Sequence, residues 1–365
     1  MRGGATDCSL RCAQVQKTPC NLDDVVQLVR REGGSPTSRG ASRGLFNVNA
    51  RASDDSTVLH WSVAQGRVEL TATIAKLPGI DLDARDKQGR TPLHLAALQA
   101  HESPDHLQCL FLLVELGGVE LAGVPDDDGA TALHVAAEKG ALQTARILIH
   151  TGVKVDCANH DGMTPLQLAA RSGQAGVVQA LLQAGASLRH VDFDGHAALA
   201  HASAAGHLDV VSLLLGAGAD ASASDLLSAS PLKLAIGHAH LDVSNLLIRS
   251  EEAVDLRACG VHQPEWLLSL CTNAQAAMSI NLSSNSIGDE GAAGVLSAAA
   301  VSLTKLVVLD LSKNNIKGSA MGMLAPEVLL GLSRLSSLSL AQNLLVDFAC
   351  QARFLSHVVL VHCQL

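Results

Sequence analysis

Apolar positions along the chain follow two rhythms. Through the first two thirds they recur at helical spacing, as with Leu208, Val211 and Leu215 inside Gly206 to Leu215, which predicts short amphipathic helices. Toward the C-terminus they alternate instead, as with Leu309 and Leu311, which predicts short strands with one face inward.

The helical part is periodic. One phrase returns as Thr57-Val58-Leu59-His60, Thr91-Pro92-Leu93-His94, Thr131-Ala132-Leu133-His134 and Thr164-Pro165-Leu166-Gln167, then as Ala197-Ala198-Leu199-Ala200 and Ser230-Pro231-Leu232-Lys233. The intervals are 34, 40, 33, 33 and 33 residues, and self-similarity at a fixed period signals a stacked array. Each phrase reads as a helix start. A turn glycine such as Gly89, Gly129, Gly162 or Gly195 supplies positive φ, a Thr or Ser side chain caps the first turn, and Pro suits the first helical position. Alanine pairs (Ala96-Ala97, Ala136-Ala137, Ala169-Ala170) keep this helix thin enough for its neighbours to approach. A second apolar helix follows, closed at Gly185-Ala186 and Gly218-Ala219 by a left-handed residue. These parts together resemble the ankyrin repeat over residues 48 to 256, about six copies. The 40-residue interval marks an insertion, expected in the inter-helix turn at Ala100 to His106, where Pro104 stands. Upstream, Asn21 to Arg30 places Leu22, Val25, Val26 and Val29 on one helical face and is expected to cap the array, with a loop at 33 to 46.

The second rhythm is L-x-x-L-x-L-x-x-N-x-L. Leu306 to Ile316 and Leu335 to Leu345 match in full, Ala277 to Ile287 matches with Ala first, and Leu355 to Leu365 matches with Cys363 in place of Asn. Asn285, Asn314 and Asn343 are expected to form an amide ladder joining successive coils, and Asp289 to open a helix behind the sheet. This resembles the leucine-rich repeat, helix-backed at first and shorter at the end. The resemblances imply an α-solenoid of ankyrin repeats followed by an α/β leucine-rich-repeat solenoid, a horseshoe. The expected boundaries are a tail with a capping helix at 1–47, ankyrin repeats at 48–256, a junction or cap helix at 257–275 and about four leucine-rich repeats at 276–365. In the junction, Trp266 and Leu270 are expected to cap the first coil, and the stop at Leu365 in mid-repeat reads as a fragment or truncated gene model.

Composition narrows the function. The 365 residues are 48% hydrophobic but only 2% aromatic, with no Tyr, which suits arrays filled by Ala, Leu and Val. A net charge of -9 with scattered Lys and Arg argues against nucleic acid and anionic lipid. No stretch reaches the roughly 18 to 20 apolar residues of a bilayer span and no secretory signal opens the chain, so a soluble cytoplasmic protein is expected. Nine cysteines without fixed spacing argue for reduced thiols, and Cys8, Cys12 and Cys20 lack partners at zinc-finger spacing.

Candidate chemistry is sparse. Sixteen histidines invite an acid–base or metal reading, yet His60, His94 and His134 belong to the helix-start phrase, where an imidazole bonds the Thr hydroxyl and the next repeat. His196, His201 and His238 fall off pattern. No phosphate loop, kinase signature, nucleophile elbow or H-E-x-x-H occurs, so no catalytic residue, metal or cofactor is expected.

Two variable surfaces remain for binding. The turn tips carry Lys87, Asp127, Asp128, His160, Phe193, Leu226 and Leu227, and the concave face carries Glu138, Lys139 and Arg171. Phe193 and the neighbouring leucines beside an acidic stretch suit a partner segment with an apolar anchor and a basic flank, unless Phe193 folds back onto its own turn. The expected function is a non-enzymatic scaffold that binds other proteins, with no nucleic acid, membrane insertion or small-molecule substrate. The alternative is the regulatory N-terminal half of a Roco-family leucine-rich-repeat kinase, which the order of the arrays and the stretch Trp266 to Ile287 resemble; that family's GTPase and kinase motifs are not in this sequence.

Overall fold

The computed structural model describes residues 48–100, 103–223, 229–249, 251–261, 264–317 and 335–344. The segments read above at 1–47, at Leu226 and Leu227, and at Leu355 to Leu365 lie outside the described residues. The chain divides between Phe193 and Asp194 into two compact units.

The first unit is a double layer of helical hairpins. Helices α1 (Val58–Ala64), α3 (Pro92–Gln99), α5 (Ala132–Lys139) and α7 (Pro165–Arg171) pack side by side as an inner layer. Their partners α2 (Val68–Ala75), α4 (Pro104–Ala122), α6 (Leu142–His150) and α8 (Ala175–Gln183) form the outer layer. Each inner helix begins at a Thr N-cap: Thr57, Thr91, Thr131 and Thr164 hold extended backbone and form reciprocal capping boxes with the side chain three residues on. The core between the layers is aliphatic, with Leu59, Leu93, Leu133 and Leu166 from inside and Ile74, Leu110, Leu148 and Leu181 from outside all fully buried. The alanine pairs are buried too, which leaves no room for larger side chains between inner helices.

The 40-residue interval is resolved differently from the expectation of an enlarged turn. Ser103 is an N-cap whose hydroxyl accepts from the Asp105 amide, and Pro104 is the first residue of α4 rather than a breaker. Helix α4 then runs 19 residues, against eight or nine in the other outer helices, so most of the insertion lengthens the outer layer. Gly118 interrupts it with φ 58 and ψ -154, a conformation that glycine tolerates and that bends the helix before its last turn.

The second unit begins with two more hairpins, α9 (Ala198–Ala205) with α10 (Leu208–Gly216) and α11 (Pro231–Gly237) with α12 (Leu241–Ile248). Strand β1 (Ala253–Asp255) follows, then α13 (Pro264–Asn273), β2 (Ser279–Asn281), α14 (Gly288–Val301), β3 (Val308–Asp310) and β4 (Ser337–Ser339). The strands form one parallel sheet in chain order, with Val254, Ile280, Leu309 and Leu338 in register and buried. Helix α13, expected as a junction, therefore lies between two paired strands, and it buries Leu267, Leu270 and Cys271 while Trp266 is half-buried. Lys233 of α11 meets Asp255 of β1 at 2.8 Å, and Ser269 of α13 donates to Asn245 of α12 at 2.7 Å, so the last hairpin is tied to the first strand–helix coil.

The expected amide ladder is present. Asn314 Oδ1 accepts from the Asn285 amide at 2.8 Å while its Nδ2 donates to the Leu282 carbonyl at 2.8 Å, and Asn343 repeats both bonds one coil later, to Asn314 and Leu311. Among the described residues no helix is long and apolar enough to cross a membrane.

Candidate protein-interaction surface

The turn tips of the first unit are built by one recurring device. Asp86, Asp126 and Asn159 each use Oδ1 to accept two backbone amides of their own turn, those of Gln88 and Arg90, of Asp128 and Ala130, and of Asp161 and Met163. The tip amide is then free to point sideways and bonds the preceding tip. Lys87 donates to the Asp54 carbonyl at 3.0 Å, Asp127 to Gln88 at 3.1 Å, His160 to Asp128 at 2.8 Å and Phe193 to Asp161 at 3.4 Å. The result is a continuous backbone ladder along the edge of the array, with the tip side chains standing on it.

Lys87, Asp127, Asp128 and His160 are exposed. Phe193 is 74% exposed and Val191, two residues earlier, is 50% exposed. The Phe193 ring lies over Gly162 of the preceding tip, where an added Cβ would stand 3.1 Å from the ring, so glycine at that position opens the seat the ring uses. On the inner face Glu138 and Lys139 are exposed and 3.8 Å apart, and the exposed Arg171 directs Nη1 to the Met163 thioether at 3.4 Å. The structure thus brings the tip residues into one row and leaves Glu138, Lys139 and Arg171 at the C-terminal ends of inner helices.

The helix-start histidines are structural. The Thr131 amide donates to His134 Nδ1 at 3.0 Å, which requires that nitrogen to be bare, so the proton sits on Nε2 and is donated to the Met163 carbonyl at 3.2 Å. His60 and His94 do the same toward the carbonyls of Arg90 and Ala130, each at 3.0 Å. Gln167 makes the identical pair of bonds, from the Thr164 amide and to the His190 carbonyl. Burial holds all three imidazoles below their ordinary value, His134 down to about 4, so they stay neutral at physiological pH. These groups are committed to holding repeats together.

One surface escapes the reading of tips and inner face. On the outer layer Val68 of α2, Leu107, Gln108, Phe111 and Leu112 of α4, and Ile147 of α6 line a mainly apolar groove of about 410 Å³. Phe111, Leu116 and Val119 along α4 are 48%, 44% and 49% exposed. The sequence carries a signal for it, since Leu107 and Phe111, like Leu112 and Leu116, stand at i, i+4 on the side of the helix away from the buried Leu110 and Leu113.

Family profiles of ankyrin repeats match residues 59–114 and 99–192, and a single-repeat profile matches 194–226. The tyrosine-protein kinase HTK16 of Hydra vulgaris is 32% identical over 103 residues, 28% of this chain and 13% of that protein. The B-cell lymphoma 3 protein homolog of Mus musculus is 32% identical over 124 residues, 32% of this chain and 26% of that protein. The solved ankyrin repeat domain of Bcl-3, described as a unique member of the IkappaB protein family, is 31% identical, with 60% of this chain and 94% of that chain covered at a TM-score of 0.49. The chain spans well under half the length of these curated relatives. Ankyrin repeats are present across residues 59–226.

Proposed function

We propose that this chain is a non-enzymatic, cytoplasmic protein-interaction scaffold that takes hold of an extended partner segment along the turn tips of its first unit. The observation that carries the reading is the tip row itself: Asp127, Asp128 and Asp161 stand beside the exposed pair Val191 and Phe193 on one rigid backbone ladder. An apolar anchor flanked by basic residues suits that order of charge and surface. Glu138, Lys139 and Arg171 offer polar contacts on the inner face. The strand–helix coils of the second unit we assign to the leucine-rich repeat, on the asparagine ladder and the 29-residue spacing of Asn285, Asn314 and Asn343.

The test is affinity capture from cell extract with the chain and with Phe193→Ala combined with Leu226→Ala. Partner recovery should fall while the melting temperature stays within about 2 °C, the range of a surface substitution such as that of the exposed Phe193. Equal recovery by the two proteins would remove the reading.

The order of helical repeats before strand–helix coils, with the stretch Trp266 to Ile287 running through α13 and β2 of those coils, supports a second reading as the regulatory half of a Roco-type kinase. Transcript sequence beyond Leu365 encoding a phosphate loop and a kinase domain would favour it.

A further inference from the structure

We propose that the groove between α2, α4 and α6 is the seat of a segment of this same chain, Asn21 to Arg30, docked as a helix. The groove is a departure from the rest of the outer layer. Where α6 turns Gln143, Arg146 and His150 outward and α8 turns Gln179 and Gln183, α4 turns Phe111, Leu116 and Val119 together with Gln108, Glu115 and Glu120. No described residue covers that mixed strip, and exposed large apolar side chains gathered on one helix mark a binding face.

The chain upstream of Val48 supplies an occupant with the right pattern. Leu22, Val25, Val26 and Val29 fall on one face of a helix, and Asp23, Asp24, Gln27 and Arg30 fall elsewhere, the arrangement of a helix laid into an apolar groove. Its length reaches. Asn49 is fixed beside the end of α2 by bonds to the Gly79 carbonyl and the Asp81 amide. The groove begins at Val68, the other end of α2, which is about 12 Å away along an eight-residue helix. The 17 residues between Arg30 and Val48 span up to about 56 Å when extended. Charge agrees as well. Exposed Arg67 and Glu69 flank the lining residue Val68, exposed Arg146 is the chain neighbour of Ile147, and exposed Glu115 lies one turn beyond Phe111, so groups of both signs border the groove for the Asp23-Asp24 and Arg30-Arg31 pairs of the segment.

Hydrogen exchange on the full chain, read by peptide mass spectrometry, tests this. Val25→Asp with Val29→Asp should accelerate exchange across residues 107–116 by about fivefold or more while leaving 165–183 unchanged, because a docked helix shields only the elements it touches. Phe111→Glu, on an exposed position that folding does not require, should in turn accelerate exchange across 22–29. If the first variant leaves 107–116 unchanged, or if its only effect falls on 58–75 at the free end of the array, the proposal is overturned. It is overturned equally if light scattering shows a dimer that Phe111→Glu dissociates while 22–29 exchanges freely in both proteins, since a second copy would then be the occupant.

Discussion

His134 donates its Nε2 proton to the Met163 carbonyl at 3.2 Å while its Nδ1 accepts the Thr131 amide at 3.0 Å, so one imidazole both starts a helix and fastens it to the next repeat. Protonation of Nδ1 would destroy the first of these bonds. The folded state holds this group down to about 4 against an ordinary value of 6.5, so the stability it contributes is intact above pH 6.5 and is lost as pH falls toward 4. Chemical unfolding at pH 7.5 and pH 4.5 should show a loss on the order of 2–3 kcal/mol from this residue. His134→Gln, which copies Gln167, should keep the fold and remove that share of the loss; an unchanged pH dependence would refute the assignment.

Glu251 predicts the opposite slope for the second unit. Burial, aided by the nearby Asp255 carboxylate, raises its carboxyl from the usual 4.5 to about 7. A raised carboxyl favours the folded state most below pH 4.5 and gives that advantage up as pH climbs through 7. Glu251→Gln should therefore raise the melting temperature of this unit at pH 8 and change it little at pH 5, as followed by calorimetry.

Gly162 carries φ +78, and a Cβ placed there would stand 3.1 Å from both the ring and the amide nitrogen of Phe193. Gly162→Ala should cost about 1–2 kcal/mol from the left-handed backbone alone. It should also dislodge the Phe193 ring, which a loss of its ring-current-shifted proton signals would report.

Asn314 is fully buried and serves four backbone groups, accepting from Asn285 and Ile287 and donating to Leu282 and Ser312. Asn314→Ala leaves the Asn285 amide buried without a partner, at about 1–3 kcal/mol, whereas the Leu282 carbonyl keeps its bond from Asn285 Nδ2 at 2.9 Å. Cooperative unfolding of the second unit should shift accordingly, whereas Asn314→Asp should recover only the accepting half.

Much of this is legible because the chemistry is local and repeated. Thr91, Thr131 and Thr164 announce helix starts through bonds that span three residues, and Asn285, Asn314 and Asn343 announce a ladder through one amide per coil. Helix α4 is harder. Pro104 and Gly117-Gly118 read as punctuation, yet the first is the opening residue of the helix and the second only bends it. The first coil is harder still: Val254, Leu256, Cys259 and Val261 repeat the spacing of Ile280, Leu282, Asn285 and Ile287, but a thiol replaces the amide and the strand holds three residues. Cys259 Sγ approaches the Arg257 carbonyl at 3.5 Å, a weak copy of the bond from Asn285 to Ser283. The groove on α4 hides in the sequence because its outward apolar residues share a helix with an equally apolar inner side.

The tip ladder runs backward along the chain, each amide reaching the preceding turn, while His60, His94 and His134 reach forward to the following one. Each boundary between the four hairpins of the first unit is consequently stitched from both sides by groups whose positions recur with the period. Excising residues 131–163 joins Ala130 to Thr164 and sets a matching donor against a matching acceptor, so the shortened array re-forms its seams. Removing a stretch that is not a whole period sets donors against side chains that cannot answer them, so the array tolerates loss of length only in whole units.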